Sequence, residues 1–298
     1  MLKGFVFGKN PKNAGYTVFL RELYFGMDLF SSLYPFVFCS LASGSNGNCY
    51  YIGNGEEGIL IDAGISMRSI RKRLGEIGVT INRIKAVFIT HDHSDHIKGV
   101  AALTQLLEIP VYASHECIES VRNNPDCRDI RTGALTAIGE AAEKHVIGLA
   151  VEGFHVSHDA PGSMGYHIRN SHNSITLATD LGYISEKVAF YLKKATVVVL
   201  ESNYDEEMLH KSRYPRFLRE RVSGARGHLG NRQAAEFLAE HFTPYMSHIF
   251  LCHLSKENNH PDLAMNTLRE KFSNRGIDTG ETILRTLPRG ARTEPFYF

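Results

Sequence analysis

Short apolar runs rich in β-branched and aromatic residues recur along the chain, and each ends in small or polar residues. This is the pattern of strands closed by turns. Strands are predicted over residues 36–39, 50–52, 58–61, 86–89 and 110–113, with a β-rich stretch over 147–156. Residues 166–168 and 174–178 read as a hairpin around 170–173, residues 196–200 as a buried strand, 249–251 as another, and 281–287 as a closing strand. Helical spacing of apolar residues predicts helices over 231–241 and 100–107 and a third running from a Ser66 cap to Leu74. In that third helix Ile70 and Leu74 share one face, and Arg68, Arg71, Lys72 and Arg73 form a solvated one. Residues 114–145 read as helix and irregular connection, with His115 and His145 as surface or core histidines.

Residues 1–33 hold no such period: they are rich in Phe, Tyr and Gly, with Lys3, Lys9 and Lys12 scattered among them. A short helix around 19–30 and a true start at Met27 are both compatible with them, and they are assigned as an extension of unknown role. Residues 34–298 read as one α/β domain. Its β-runs and intervening helices fall into two halves, which predicts an αββα sandwich: two packed mixed β-sheets with helices on the outer faces.

Chemistry concentrates in AVFITHDHSDHIKG, residues 86–99. The alternation of His91, His93, Asp95 and His96 lets neighbouring side chains diverge, so one turn can feed two adjacent metal positions. Imidazole and carboxylate without thiolate suit hydrolytic zinc, manganese or iron. His91, His158, Asp180 and His253 each stand one or two residues past the end of an apolar run. Side chains so placed gather at one rim of a sheet, where loops carry chemistry on a rigid scaffold.

Composition narrows this modestly. A net charge of +1 over 298 residues supplies no global field toward nucleic acid or membrane, so any such attraction is local. The five cysteines form no C-x-x-C pair, and an odd number of them suits a reducing compartment. With no apolar run of membrane length and no signal peptide, cytoplasmic location is the expectation.

The chain resembles the metallo-β-lactamase fold hydrolases from about Phe36 onward, through Asp62 in LIDAG, HDHSDH at 91–96, His158, Asp180 in LATD and His253 in LCHLS. The resemblance implies that His91, His93 and His158 hold a first divalent ion. Asp95, His96 and His253 would hold a second, Asp180 would bridge the two, and Asp62 would orient a ligand imidazole. SLASGSNGNCYYIG, ATDLGYIS, LESNYDEEML, GHLGN and LCHLSKENNHP look like the YycJ/WalJ branch, which implies a zinc- or manganese-dependent exonuclease acting from DNA 5′ ends. Members of that branch often carry His where this chain has Tyr204 and Ser where it has Gly230.

In such a site two cations would generate a hydroxide from bridging water and stabilise the leaving alkoxide. Asp95 and Asp180 would orient the nucleophile, and His228 is the candidate proton donor to the leaving oxygen. Arg213, Arg216, Arg219, Arg221 and Arg226, opposed only by Glu220, are a candidate phosphate-contacting segment, in which Tyr214 and Phe217 read as core or lid packing in preference to base stacking. The small-residue loop with Ser43, Ser45, Asn46 and Asn48 is a candidate anion nest, and Arg226 and Asn231 are further candidate substrate contacts. DNA is favoured over RNA. Only about seventy residues separate Asp180 from His253, too few for the large inserted domain of RNA-cleaving relatives. A small ester, thioester or lactone hydrolase and a non-catalytic regulator are the alternatives.

Overall fold

The structure is a computed structural model and describes residues 36–298. The predicted extension over 1–33 lies outside the described residues. The first half of the described chain builds β1 (Val37–Ala42), β2 (Cys49–Gly53), β3 (Gly58–Ile61), β4 (Ile84–Phe88), β5 (Val111–Ala113) and β6 (Leu135–Ala137). The second builds β7 (Glu143–Val146), β8 (Leu149–His155), β9 (Met164–Arg169), β10 (Ser174–Ala178), β11 (Val197–Glu201), β12 (His248–Cys252) and β13 (Ile283–Thr286). A last strand, β14 (Phe296–Tyr297), returns to pair with β1. The helices are α1 (Met67–Gly75), α2 (Ser94–Ile97), α3 (Val100–Leu107), α4 (His115–Asn123), α5 (Glu186–Lys194), α6 (Glu206–Lys211), α7 (Arg216–Val222), α8 (Asn231–His241) and α9 (Pro261–Asn274).

Two seven-stranded sheets result, in the orders β14-β1-β2-β3-β4-β5-β6 and β13-β12-β11-β10-β9-β8-β7. Each joins an antiparallel part to a parallel one, as β3–β6 and β10–β13 run parallel. Strand periodicity explains the layering. Phe36, Phe38, Ile59, Ile61, Ala86 and Phe88 turn toward the other sheet and meet Tyr166, Ile175, Leu177, Val199 and Phe250. Their neighbours Val37, Cys39, Leu60 and Val87 turn outward under helices, and in the second sheet Val198, Leu200, Ile249 and Leu251 do likewise. Both faces are therefore apolar, which is why the strands read as continuous runs. Phe38 stacks on Phe250 across the sandwich at 5.3 Å, and Phe88 meets Tyr166 edge-on at 5.5 Å. The predicted two-sheet sandwich is the observed one.

The Ser66 cap holds as expected, its Oγ accepting from Ser69 N at 3.2 Å. Residues 114–145 do not. Besides α4 they contain β6 and β7, edge-region strands whose half-exposed side chains make no apolar run. Helices α5, α6, α7 and α9 also escaped the sequence reading. In α9 the buried Ala264, Met265, Leu268 and Phe272 are spread at helical spacing among polar residues.

One buried histidine gives the sandwich a pH dependence. His167 on β9 lies opposite Thr176 on β10, with Nδ1 2.8 Å from the threonine Oγ1. The Thr176 hydroxyl donates to Tyr191 O, so Nδ1–H is the donor to Thr176 Oγ1. Burial pushes the imidazole pKa down to about 4; Glu152 opposes this, while Lys194 and Arg169 reinforce it. Because the folded value lies below the free one, stability is full above pH 6.5 and lost as pH falls toward 4, by about 3 kcal/mol. His167→Gln is expected to flatten the fall in urea midpoint between pH 7 and 4 relative to wild type. Equal slopes for the two proteins would remove His167 as the cause.

Candidate metal centre

The functional side chains collect where strands end on one rim. Asp62 follows β3, His91 to His96 lead from β4 into α2, His158 follows β8, Asp180 follows β10 and His253 follows β12. Asp62, Asp180 and His253 have left-handed backbones, with φ of 59°, 55° and 52°. Such a turn swings the side chain across the strand end, and it is sustained where the surrounding contacts over-determine it. Asp62 illustrates this: its carboxylate accepts from Thr90 N at 2.8 Å and from the Thr90 hydroxyl, and pairs with His96 Nδ1 at 2.7 Å.

His93, Asp95, His158, Asp180, His228 and His253 line a pocket of about 180 Å³. His91, His93 and His158 bring one nitrogen each within 4.8 Å of one another, and Asp95, His96 and His253 do the same with their donor atoms. Asp180 stands between the sets, its Oδ2 3.4 Å from His96 Nε2, and it also forms a cluster with His91 and His96. Outer partners hold the rings. Thr90 Oγ1 lies 3.0 Å from His91 Nδ1, Gly227 O accepts from His158 Nδ1 at 3.1 Å, and Glu201 Oε1 lies 2.8 Å from His253 Nδ1. These contacts leave Nε2 of each ring to face the pocket.

His158 Nε2 and His253 Nε2 are buried with no hydrogen-bond partner. Orphaned nitrogens of this kind are costly unless something fills the space between them. A divalent cation would do so, and the nitrogen and oxygen donors match its preferences. Electrostatics agree. Burial opposes charge on Asp95, Asp180 and Glu201, yet the surrounding imidazoles hold all three carboxyls below their ordinary range. Burial likewise opposes charge on His96, His228 and His253, but the carboxylates outweigh it and raise all three, His96 to about 9. Burial instead pushes His91 and His158 down, toward the neutral form in which an imidazole serves as a ligand.

Residues 58–246 match the family described as the Beta-lactamase superfamily domain. The chain is 35% identical to the Exodeoxyribonuclease YycJ of Bacillus anthracis, over 82% of this chain and 92% of that protein. It is 32% identical to the Exodeoxyribonuclease WalJ of Streptococcus pneumoniae, over 82% and 91%. Among solved structures, the metallo-beta-lactamase fold protein YhfI from Bacillus subtilis superposes with a TM-score of 0.66 at 14% identity, covering 87% of this chain and 99% of that one. The chain belongs to the beta-lactamase superfamily.

Of the seven predicted ligands, His93, Asp95, His158, Asp180 and His253 line the pocket; His91 and His96 are buried within the same clusters, and Asp62 stands behind His96. The predicted substrate contacts fare unevenly. Ser45 lines the pocket and Asn46 is exposed beside it. Ser43 is a correction: its buried Oγ accepts from His253 N at 2.9 Å and meets Tyr50 OH, so it braces a metal-site residue instead of facing substrate. Asn48 is buried too, with its amide donating to Gly44 O and lying 3.0 Å from His96 Nε2. Asn231 is a further correction. It is 1% exposed, its Oδ1 accepts from Ser202 Oγ and its amide donates to Asn259, because the start of α8 packs under the rim. Arg226 is exposed, with Nε donating to His158 O.

Glu201 was missed. Fully buried, it sets Oε1 2.8 Å from both His228 Nδ1 and His253 Nδ1, while Oε2 accepts from Leu181 N and Leu229 N. The available signal was an acid closing the wholly apolar run VVVL. The two departures from the branch pattern meet each other: Tyr204 and Gly230 form a bridge, and a Cβ at 230 would lie 3.0 Å from the Tyr204 ring. A larger ring at 204 thus goes with a missing side chain at 230. Neither residue lines the metal pocket.

Proposed function

We propose that this metal-dependent hydrolase is an exodeoxyribonuclease that binds two divalent ions, zinc or manganese, and shortens DNA from its 5′ ends. The observation that carries this is the pair of orphaned imidazole nitrogens facing carboxylates in a chain whose relatives are named exodeoxyribonucleases. In this reading His91, His93 and His158 would hold one ion and Asp95, His96 and His253 the other, with Asp180 available to both. When bound, the ions supply Lewis acidity toward a phosphoryl oxygen and a water-derived nucleophile at neutral pH. Asp95 and Asp180 would orient the attacking water through their carboxylate oxygens, with either carboxylate as acceptor for its proton. His228 Nε2 gives a proton to the leaving oxygen, its other nitrogen being held by Glu201. Asp62 and Glu201 fix the rotation of His96 and His253.

Among the described residues no helix is long and apolar enough to cross a membrane, and all five cysteines are free and buried. The test is incubation of the metal-defined full chain with 5′-labelled duplex DNA, single-stranded DNA, RNA and a panel of lactones, before and after chelation. DNA shortened from the labelled end only by metal-loaded protein is the expected result. Cleavage of RNA alone would move the substrate to RNA, and cleavage of lactones alone would overturn the nuclease reading.

A further inference from the structure

The candidate ligands are braced unequally. Asp62 pairs with His96, Glu201 with His253, Thr90 with His91 and Gly227 O with His158. His93 is the exception. Its Nδ1 lies 3.1 Å from His91 Nε2, toward the cluster, so its Nε2 points away from it, and among the described residues nothing is hydrogen-bonded to that nitrogen. On that side stands Asp159, which lines the pocket and sets Oδ1 3.8 Å from His93 Nε2. This oxygen is buried with no hydrogen-bond partner. It is also 3.4 Å from His158 Nε2, but that ring donates its proton to Gly227 O from Nδ1 and has only a lone pair to offer at Nε2. Among the described residues Asp159 falls outside the groups of donor atoms that could hold an ion. Its other oxygen, Oδ2, accepts from Arg221 Nε at 2.6 Å. Arg221 belongs to α7, and no other lysine or arginine lines the pocket. None of the seven residues of α7 is buried, and Phe217 is 72% exposed, which corrects the expectation of core or lid packing.

We propose that Asp159 is a positioning residue for His93: it accepts the Nε2–H of that ring when an ion is bound, and Arg221 fixes the turn of its carboxylate. The 3.8 Å separation is a little beyond a hydrogen bond, and a small turn of the His93 ring, which is 37% exposed, closes it. Chemistry drives the closure. A cation on Nδ1 makes the Nε2 proton a stronger donor, a ligand imidazole ordinarily gives that proton to a carboxylate or carbonyl, and Asp159 Oδ1 has no other donor to meet. The inference rests on the two-ion reading and adds that the two ions are held differently. His96 and His253 are braced by Asp62 and Glu201, both fully buried in the sandwich. His93 and His158 instead depend on one outer segment, His93 through Arg221 and Asp159 and His158 through Gly227. Loss of that brace falls on one ion.

The test is zinc titration of the metal-free full chain against a chelating dye, for wild type, Asp159→Ala, Arg221→Ala and the double variant. Wild type is expected to take two ions. Each single variant should hold one of them about 10–100-fold more weakly and the other unchanged. The double variant should lose no more than Asp159→Ala, because Arg221 acts through the carboxylate. In zinc-loaded wild type labelled with 15N-histidine, the His93 Nε2–H should be slow to exchange with water, and in Asp159→Ala its signal should be lost to exchange. Urea unfolding of the metal-free proteins tells a lost brace from a lost fold, and Arg221, with a side chain 60% exposed, can be truncated without opening the core. An arginine that only met DNA phosphate would raise KM for DNA and leave metal affinity alone. Wild-type zinc affinity in Arg221→Ala, or an unchanged His93 signal in Asp159→Ala, would overturn the inference while leaving the nuclease intact. Failure of wild type to bind two ions would instead overturn the two-ion reading, and this inference with it.

Discussion

Replacing His228 with alanine is expected to lower kcat on DNA by about 10²–10⁴-fold while bound metal stays unchanged. The geometry gives both halves of this expectation. His228 Nδ1 is 2.8 Å from Glu201 Oε1 and 3.5 Å from Asp180 Oδ1, so its other nitrogen is the one turned to incoming substrate. Its ring lies 5.3 Å from that of His158 and 5.4 Å from that of His253, close enough to reach a substrate atom between them. The side chain retains 21% exposure, whereas that of His253 retains 2%, which suits a group that meets substrate. A leaving group such as p-nitrophenolate needs no proton, so the loss should shrink sharply on a p-nitrophenyl phosphodiester. A merely structural histidine would depress both substrates alike. Unchanged turnover on DNA would remove His228 from the mechanism.

Glu201→Gln is expected to weaken metal binding or activity by about 10–100-fold, the usual consequence of losing a group that orients ligands. The carboxylate is an acceptor at both oxygens: two imidazole N–H groups meet one and two backbone N–H groups the other. An amide in the same place must turn its own N–H groups toward one of those pairs. Donor then faces donor in a fully buried site, at a further cost of about 1–3 kcal/mol in stability. Metal titration against a chelating dye, with urea unfolding of the metal-free protein, separates the two effects. Wild-type metal affinity together with wild-type kcat would show that Glu201 orients nothing that matters.

These two residues mark the boundary of what sequence reading reaches. His228 was found because it sits in GHLGN after a dense run of arginines. Glu201 was passed over because an acid after an apolar strand is common, and only its neighbours make it unusual. Those neighbours, His228 and His253, lie 27 and 52 positions away, on separate elements. Asn231 shows the reverse failure. Polar and next to the candidate acid, it read as a substrate contact, but its side chain turns inward to Ser202 and Asn259. Phe217 was drawn toward the core by its hydrophobicity, and α7 stands clear of any core.

The sequence by itself determined the sandwich and the rim at which the candidate ligands gather. Strands buried on both faces must be written as apolar runs, and the polar residue ending each run is carried to the rim with its strand. The position and length of those runs thus encode both the layers and the placing of Asp62, His91, Asp180 and His253. Only the tertiary structure decided which groups brace the ligands, which arginine reaches the pocket and which aromatic ring stays in water. Those outcomes depend on how separate elements pack against one another, and periodicity along one strand or helix carries no information about its distant neighbours.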